Sequence, residues 1–308
     1  MKQYINHLLH CLPYLLCLLL LLSIPQLQAF TIVNVFVQAV LFLVVCIIPA
    51  LKTGRMSYVD VAWPAGLFLI GAQVLLFSDE VTLRSGIIAG LYIFAGGRMS
   101  AMALIGLRLG YLNKELPRYQ YQRLRWQRRG WQEKPALLFE VASQGFANMT
   151  VLALPAILQA RNSSSYLSPL EIAAYILWVA AFIFEFVADT QKARFGLRMQ
   201  REKRKGEHCE DGLWRYSRHP NYFGEWMVWN ALVISSIPSL MALSSGIAIW
   251  HTLAFAAALV YLSYVMYIVL THYSGAVPSE YYSVQKRPGY KEYQRRTNIF
   301  FPGPRKPV

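Results

Sequence analysis

Thr31-Ile-Val-Asn-Val-Phe-Val-Gln-Ala-Val-Leu-Phe-Leu-Val-Val-Cys-Ile-Ile-Pro-Ala-Leu51 contains no charged residue. An apolar run of about 20 residues is the length of helix that crosses a bilayer core. Comparable runs recur along the chain. They predict spans at 8–24, 31–51, 61–78, 85–107, 137–160, 170–188, 223–243 and 247–271. With 56% hydrophobic residues among 308, the chain reads as all-α, a polytopic transmembrane helical bundle of eight spans. The alternating pattern of a closed β-barrel is absent.

The basic residues orient these spans. All but three of the 30 Lys and Arg fall in the N-terminus, 52–60, 106–136, 189–222 and 273–308; the exceptions are Arg84, Arg98 and Arg161. Eight alternating crossings place every basic segment on the cytoplasmic side, as the positive-inside rule requires. The net charge of +14 is therefore divided among loops between spans, which argues against a nucleic-acid partner. Lys2, the leucine-rich first span and Ala29 resemble a signal peptide, whose cleavage would leave seven spans. The absence of a small residue three positions before Ala29 favours retention. The chain divides into a first span or signal-like segment (1–30), N-terminal helices with a basic loop at 107–135 (31–160), and a C-terminal region (161–308). Cys11, Cys17, Cys46 and Cys209 show neither pairing nor metal-ligand spacing, and no metal is expected.

The densest polar motif is Gly212-Leu-Trp-Arg-Tyr-Ser-Arg-His-Pro-Asn-Tyr-Phe-Gly-Glu225. Pro220 suits the first turn of a helix and biases His219 away from helical geometry, so a helix is expected to start near Pro220. Asn221 and Glu225 then share a face, with Arg215, Arg218 and His219 at the positive helix end, a setting for an anionic, hydrogen-bonding ligand. The alternative is a basic juxtamembrane loop followed by an ordinary helix cap.

Other polar positions carry weaker signals. The 107–135 loop interleaves Tyr119, Tyr121, Trp126 and Trp131 with arginines, as an interfacial helix or a phosphate clamp would. Glu185 and Asp189 share a face, and a carboxylate inside the membrane needs a partner or a polar cavity; Arg98 is the intramembrane cation available to Glu185. Asp60 either ends a helix, pairs with Arg55 or faces a pocket. Glu140 and Asn148 could form a buried polar pair. In the tail, Pro288-Gly289 predicts a turn, and a short helix after it would set Tyr290 and Tyr293 on one side, over a cavity or at the membrane surface.

Leu213-Trp-Arg-Tyr-Ser-Arg-His-Pro-Asn-Tyr-Phe-Gly-Glu225 and the Pro-Gly-Tyr-x-x-Tyr-x-x-Arg-Thr tail together resemble the steroid 5-alpha-reductase C-terminal superfamily, in its bacterial-type multi-span branch. The resemblance is clearest over 170–302 and weaker over 58–122. It implies a multi-pass membrane oxidoreductase of lipid metabolism, like 3-oxo-5-alpha-steroid 4-dehydrogenase, moving a hydride from NADPH to an activated C=C bond of a steroid-like, isoprenoid or fatty-acyl substrate. By position, Asn221 and Glu225 would hold the nicotinamide end, with Asp189, Arg98, Arg108 and Arg194 near ribose or phosphates. Arg215, Arg218, His219, Tyr222, Tyr290 and Tyr293 complete the implied cofactor set. Asp60 is the nearest match to the family's carbonyl-polarising acid, as a neutral carboxyl in an apolar pocket, and Glu225 is a second catalytic candidate. The tyrosine partner of that acid has no clear match; Tyr92 lies too near the outer face.

The Arg-His-Pro-x-Tyr-x-Gly portion is shared with sterol reductases and with isoprenylcysteine-type methyltransferases, which use S-adenosylmethionine. The latter carry paired glutamates where this chain has Glu280-Tyr281. A non-catalytic lipid-binding protein is the third possibility. A cytoplasmic-facing site is expected, at the inner membrane in a bacterium or the endoplasmic reticulum in a eukaryote.

Overall fold

The computed structural model describes residues 2–78 and 80–307, with side chains from Leu9 onward, and every regular element in it is helical. In chain order these are α1 (Lys2–Ser23), α2 (Pro25–Phe42), α3 (Ile48–Thr53), α4 (Val59–Phe77), α5 (Leu83–Arg108), α6 (Pro117–Arg128) and α7 (Glu133–Met149). Then follow α8 (Leu154–Ala160), α9 (Pro169–Arg201), α10 (Pro220–Ser244), α11 (Ile249–Ile268), α12 (Ala276–Lys286) and α13 (Tyr290–Arg296). Wider π turns at Leu43–Ile47 and Val269–Tyr273 join α2 to α3 and follow α11.

Among the described residues, seven helical stretches are long and apolar enough to cross a membrane: Pro25–Thr53, Val59–Phe77, Leu83–Arg108, Glu133–Ala160, Pro169–Arg201, Pro220–Ser244 and Ile249–Lys286. They match the last seven expected spans. The described apolar part of the first, Leu9–Ser23, is shorter. It packs on α2 and α7 and buries Cys17, Leu20 and Leu21. Lys2, which orients that span by its charge, lies outside the described side chains.

The chain forms two compact units interleaved in sequence: 1–172 with 233–262, and 173–232 with 263–308. In the first unit α4 and α5 pack along their lengths. Two glycines make this possible. A Cβ on Gly71 would lie 2.8 Å from the Ala89 carbonyl oxygen, and one on Gly96 2.9 Å from the Phe68 Cα. Small residues allow such close approach where apolar solvent supplies no drive between helices.

The expected continuous span at 137–160 is broken. α7 ends at Met149 and α8 begins at Leu154, with Pro155 in its first turn. Proline cannot donate and disfavours helical geometry in the residue before it, so the run divides here. A buried break frees carbonyls that water cannot reach. Two side chains satisfy them. Asn34 Nδ2 donates to the Asn148 and Met149 carbonyls at 3.2 and 3.1 Å, and the Tyr92 hydroxyl donates to the Leu152 carbonyl at 2.6 Å.

Asn34 belongs to a wider amide network, all of it buried. Its Oδ1 accepts from Gln38 at 3.2 Å and Gln73 at 3.3 Å, Gln38 Nε2 also reaches the Gly66 carbonyl at 3.0 Å, and Asn148 Nδ2 donates to the Trp63 carbonyl at 3.0 Å. Asn148 thus serves this network and is no partner of Glu140, contrary to expectation; the two lie eight positions apart on the helix. At another corner of the unit, Arg84 and Glu171 form a fully buried ion pair, and Arg84 also caps the Ser164 carbonyl at 2.6 Å.

Candidate functional site

In the second unit the 212–225 motif forms a folded loop entering α10, which starts at Pro220 as expected. Gly212 opens a 3₁₀ turn, Gly212–Arg215, with φ +54° and with Gln191 where a Cβ would stand. The positive φ favours glycine there, and a Cβ would displace the Gln191 amide. The turn is sewn to α9: Leu213 N–H donates to Gln191 Oε1 at 2.9 Å, and Trp214 Nε1 donates to the Ala188 carbonyl at 2.8 Å. Gly224 serves the same end one helix on, since a Cβ there would lie 2.9 Å from the Glu185 backbone nitrogen.

Glu280 on α12 is the hub of this unit. Arg218 meets it in a two-pronged pair, Nε to Oε1 at 2.6 Å and Nη2 to Oε2 at 3.1 Å. His219 Nε2 lies 3.1 Å from Oε1, and Gln294 Nε2 donates to Oε2 at 2.6 Å. A carboxylate can only accept, so the His219 hydrogen sits on Nε2. Burial holds the His219 pKa below the usual histidine range, against the opposing pull of Glu280. Its neutral ring stacks on Tyr222, centroids 5.2 Å apart.

The tail closes around the same loop. Ser217 and Asn298 form a parallel bridge, Arg218 N–H donates to the Asn298 carbonyl at 2.9 Å, and Ser217 Oγ donates to the Phe300 carbonyl at 2.8 Å. The expected turn and short helix are present as α13. Tyr290 and Tyr293 share a buried face, and the Tyr293 hydroxyl donates to the Trp214 carbonyl. Burial raises the pKa of both phenols. Below them Glu210 accepts from His208 at 2.8 Å and pairs with Arg305; these contacts outweigh burial and lower its pKa.

The implied contact residues therefore divide. Arg218 was expected to face an anion, but its donors are committed to Glu280 and to the Gln294 and Thr297 carbonyls. It positions the loop. Tyr290 and Tyr293 are likewise buried, and the Tyr293 hydroxyl is committed to the loop. Asp189 and Arg194 are exposed on α9, Arg215 is exposed on the 3₁₀ turn, and Tyr222 and Glu225 are half-buried on α10. Asn221 stands apart: its Oδ1 is buried and has no hydrogen-bond partner among the described residues.

Asp60, Arg98 and Arg108 belong to the first unit. Asp60 was expected as a neutral carboxyl in an apolar pocket, with Arg55 as its alternative partner. It instead pairs with Arg118 and accepts from the Tyr119 hydroxyl at 2.6 Å, while Arg55 bonds the Leu112 carbonyl at 2.6 Å and Tyr58 at 3.0 Å. The guanidinium occupies one carboxylate oxygen and the phenol the other. Arg98 is half-buried in α5, and Arg108 is exposed in its last turn. The basic loop does form a helix, α6, whose Tyr119, Gln122 and Trp126 are buried and whose Arg123 pairs with Glu115 at 2.9 Å.

Two determinants escaped the sequence reading. Glu280 drew notice only as half of an absent glutamate pair, and Tyr119 only as one of several loop aromatics. The signal available for Glu280 was a lone acid in an otherwise neutral and basic segment. Neither the curated proteins nor the solved structures include a match to the chain. One protein-family description matches residues 44–297, most of both units, and by that match the chain belongs to the family described as protein of unknown function, DUF1295.

Proposed function

We propose that the chain is an integral membrane NADPH-dependent reductase that transfers a hydride to an activated C=C bond of a lipid-soluble substrate, in the manner of the steroid 5-alpha-reductase superfamily. The observation that carries this reading is the buried, unpartnered Asn221 Oδ1 one residue into α10. A buried acceptor without a donor costs about 1–3 kcal/mol. The carboxamide of nicotinamide supplies the N–H group that this oxygen lacks, so the residues present fit the cofactor.

When bound, NADPH would supply the hydride, and the chain would supply position and a dry setting. Asn221 would orient the carboxamide, with Glu225 one turn further along the same face. Of the implied cofactor cations in the second unit, Arg194 and Arg215, both exposed, would be left for phosphate groups once Arg218 is committed to Glu280. His219, neutral and held by Glu280, fixes the geometry of the chain just before Pro220.

Equilibrium binding to detergent-purified protein tests the reading. NADPH should bind and S-adenosylmethionine should not compete. Preferential binding of S-adenosylmethionine would replace hydride transfer by methyl transfer, and binding of neither would point to a non-catalytic lipid-binding protein.

A further inference from the structure

Carboxylates withdrawn from water are expensive, and several buried or partly buried ones in this protein have both oxygens engaged. Asp60, Glu115, Glu171 and Glu280 each accept on Oδ or Oε atoms from two or more donors. Glu140 differs. It lies two turns into α7 and is 4% exposed. Gln122 Nε2 donates to its Oε1 at 2.7 Å, and Trp126 Nε1 approaches the same oxygen at 3.4 Å. Oε2 is buried and has no hydrogen-bond partner among the described residues.

Both donors come from α6, one helical turn apart, and they fix the carboxyl by a single oxygen. Around it stand the buried apolar residues Ala136, Leu137 and Val141 of the same helix. Leaving Oε2 unmatched in such surroundings is unfavourable, so the arrangement is complete only with a further hydrogen-bonding group. The charges nearby narrow its chemistry. Arg125 and Arg129 are already close enough to act on Glu140, so a cationic ligand is not called for, and Glu140 itself repels phosphate or carboxylate. Tyr14 of α1 is also within its electrostatic reach. A hydroxyl group matches Oε2 in either protonation state, since it donates to a carboxylate and accepts from a carboxylic acid. The neighbouring side chains suit an apolar body.

We propose that Glu140 Oε2 anchors the hydroxyl group of a lipid-soluble alcohol bound within the first unit against α6 and α7. The assignment uses the first unit alone. It stands or falls separately from NADPH binding, which concerns the second unit.

Photolabelling of the full-length protein in lipid nanodiscs, without NADPH, tests it. The probes are a diazirine-bearing sterol alcohol, a diazirine-bearing isoprenoid alcohol, and each skeleton with hydrogen in place of the hydroxyl. At least one alcohol should label peptides from 117–149 about ten-fold more than its hydroxyl-free analogue, the ratio that about 1.4 kcal/mol produces. Glu140→Leu should reduce the alcohol to the analogue's level, and Glu140→Gln, which keeps polar atoms, should stay within about three-fold of wild type. Equal labelling by alcohols and analogues, labelling only outside 117–149, or undiminished selectivity in Glu140→Leu would overturn the proposal. The alcohol-to-analogue ratio in the wild-type protein decides the matter even if Glu140→Leu does not fold.

Discussion

Replacing Glu280 by alanine removes the acceptor for Arg218, His219 and Gln294 together. Arg218 keeps its Nη1 contacts to the tail carbonyls, but Nε and Nη2 are left as buried positive charge without a counter-charge. Removing one member of a buried ion pair costs about 3–5 kcal/mol. Each kcal/mol shifts the melting temperature of a chain this size by about 2–4 °C, so a drop of roughly 6–20 °C follows. The assay is thermal unfolding of detergent-purified protein followed by tryptophan fluorescence, to which buried Trp214 contributes. Arg218→Met should cost a similar amount, because it strands Glu280. The double variant, Arg218→Met with Glu280→Ala, should cost less than the sum of the singles by at least about 1 kcal/mol, since contacting partners do not add. Singles within about 0.5 kcal/mol of wild type, the level of an ordinary surface change, would refute the hub. Strict additivity of the double variant would refute the pairing.

Three further outcomes follow from other contacts. His219 has a lowered folded-state pKa, so its contribution to stability is complete above about pH 6.5, the unfolded value, and declines as pH falls toward the folded value. Comparing melting at pH 7.5 and 5 should show a steeper loss in wild type than in His219→Gln, and equal slopes would contradict the assignment. Asn34→Ala should destabilise the protein by about 1–3 kcal/mol by stranding two carbonyls at the helix break, measured by the same melting curves. Gly224→Ala should cost about 1–3 kcal/mol by forcing α10 from the Glu185 backbone, and an unchanged melting temperature would mean that the helices do not cross there.

The spans were legible because apolar length is a local property, and residues 31–51 announce it without reference to anything distant. Pro220 fixed the start of α10 for the same reason. The break between α7 and α8 also had a local cue in Pro155, but the apolar run through 150–153 masked it. It depends on Asn34 and Tyr92, which are remote in sequence. The candidate site shows the same divide. Its motif was readable, whereas the fate of Arg218 was not, because the acid that claims it lies 62 positions away. The choice among helix end, Arg55 partner and pocket for Asp60 could not be made locally, since its partners, Arg118 and Tyr119, come from a helix almost 60 positions on. Spacing within a motif shows which side chains share a face, and only the fold shows which are already taken.

The central claim is that Asn221 faces a nicotinamide carboxamide. The most direct measurement is the NADPH dissociation constant of the purified protein beside that of Asn221→Ala, with melting curves to confirm that both are folded. The wild-type protein should bind NADPH and the variant about ten-fold more weakly, the loss of one buried hydrogen bond worth about 1.4 kcal/mol. Equal affinities in two folded proteins, or no NADPH binding by either, would contradict it.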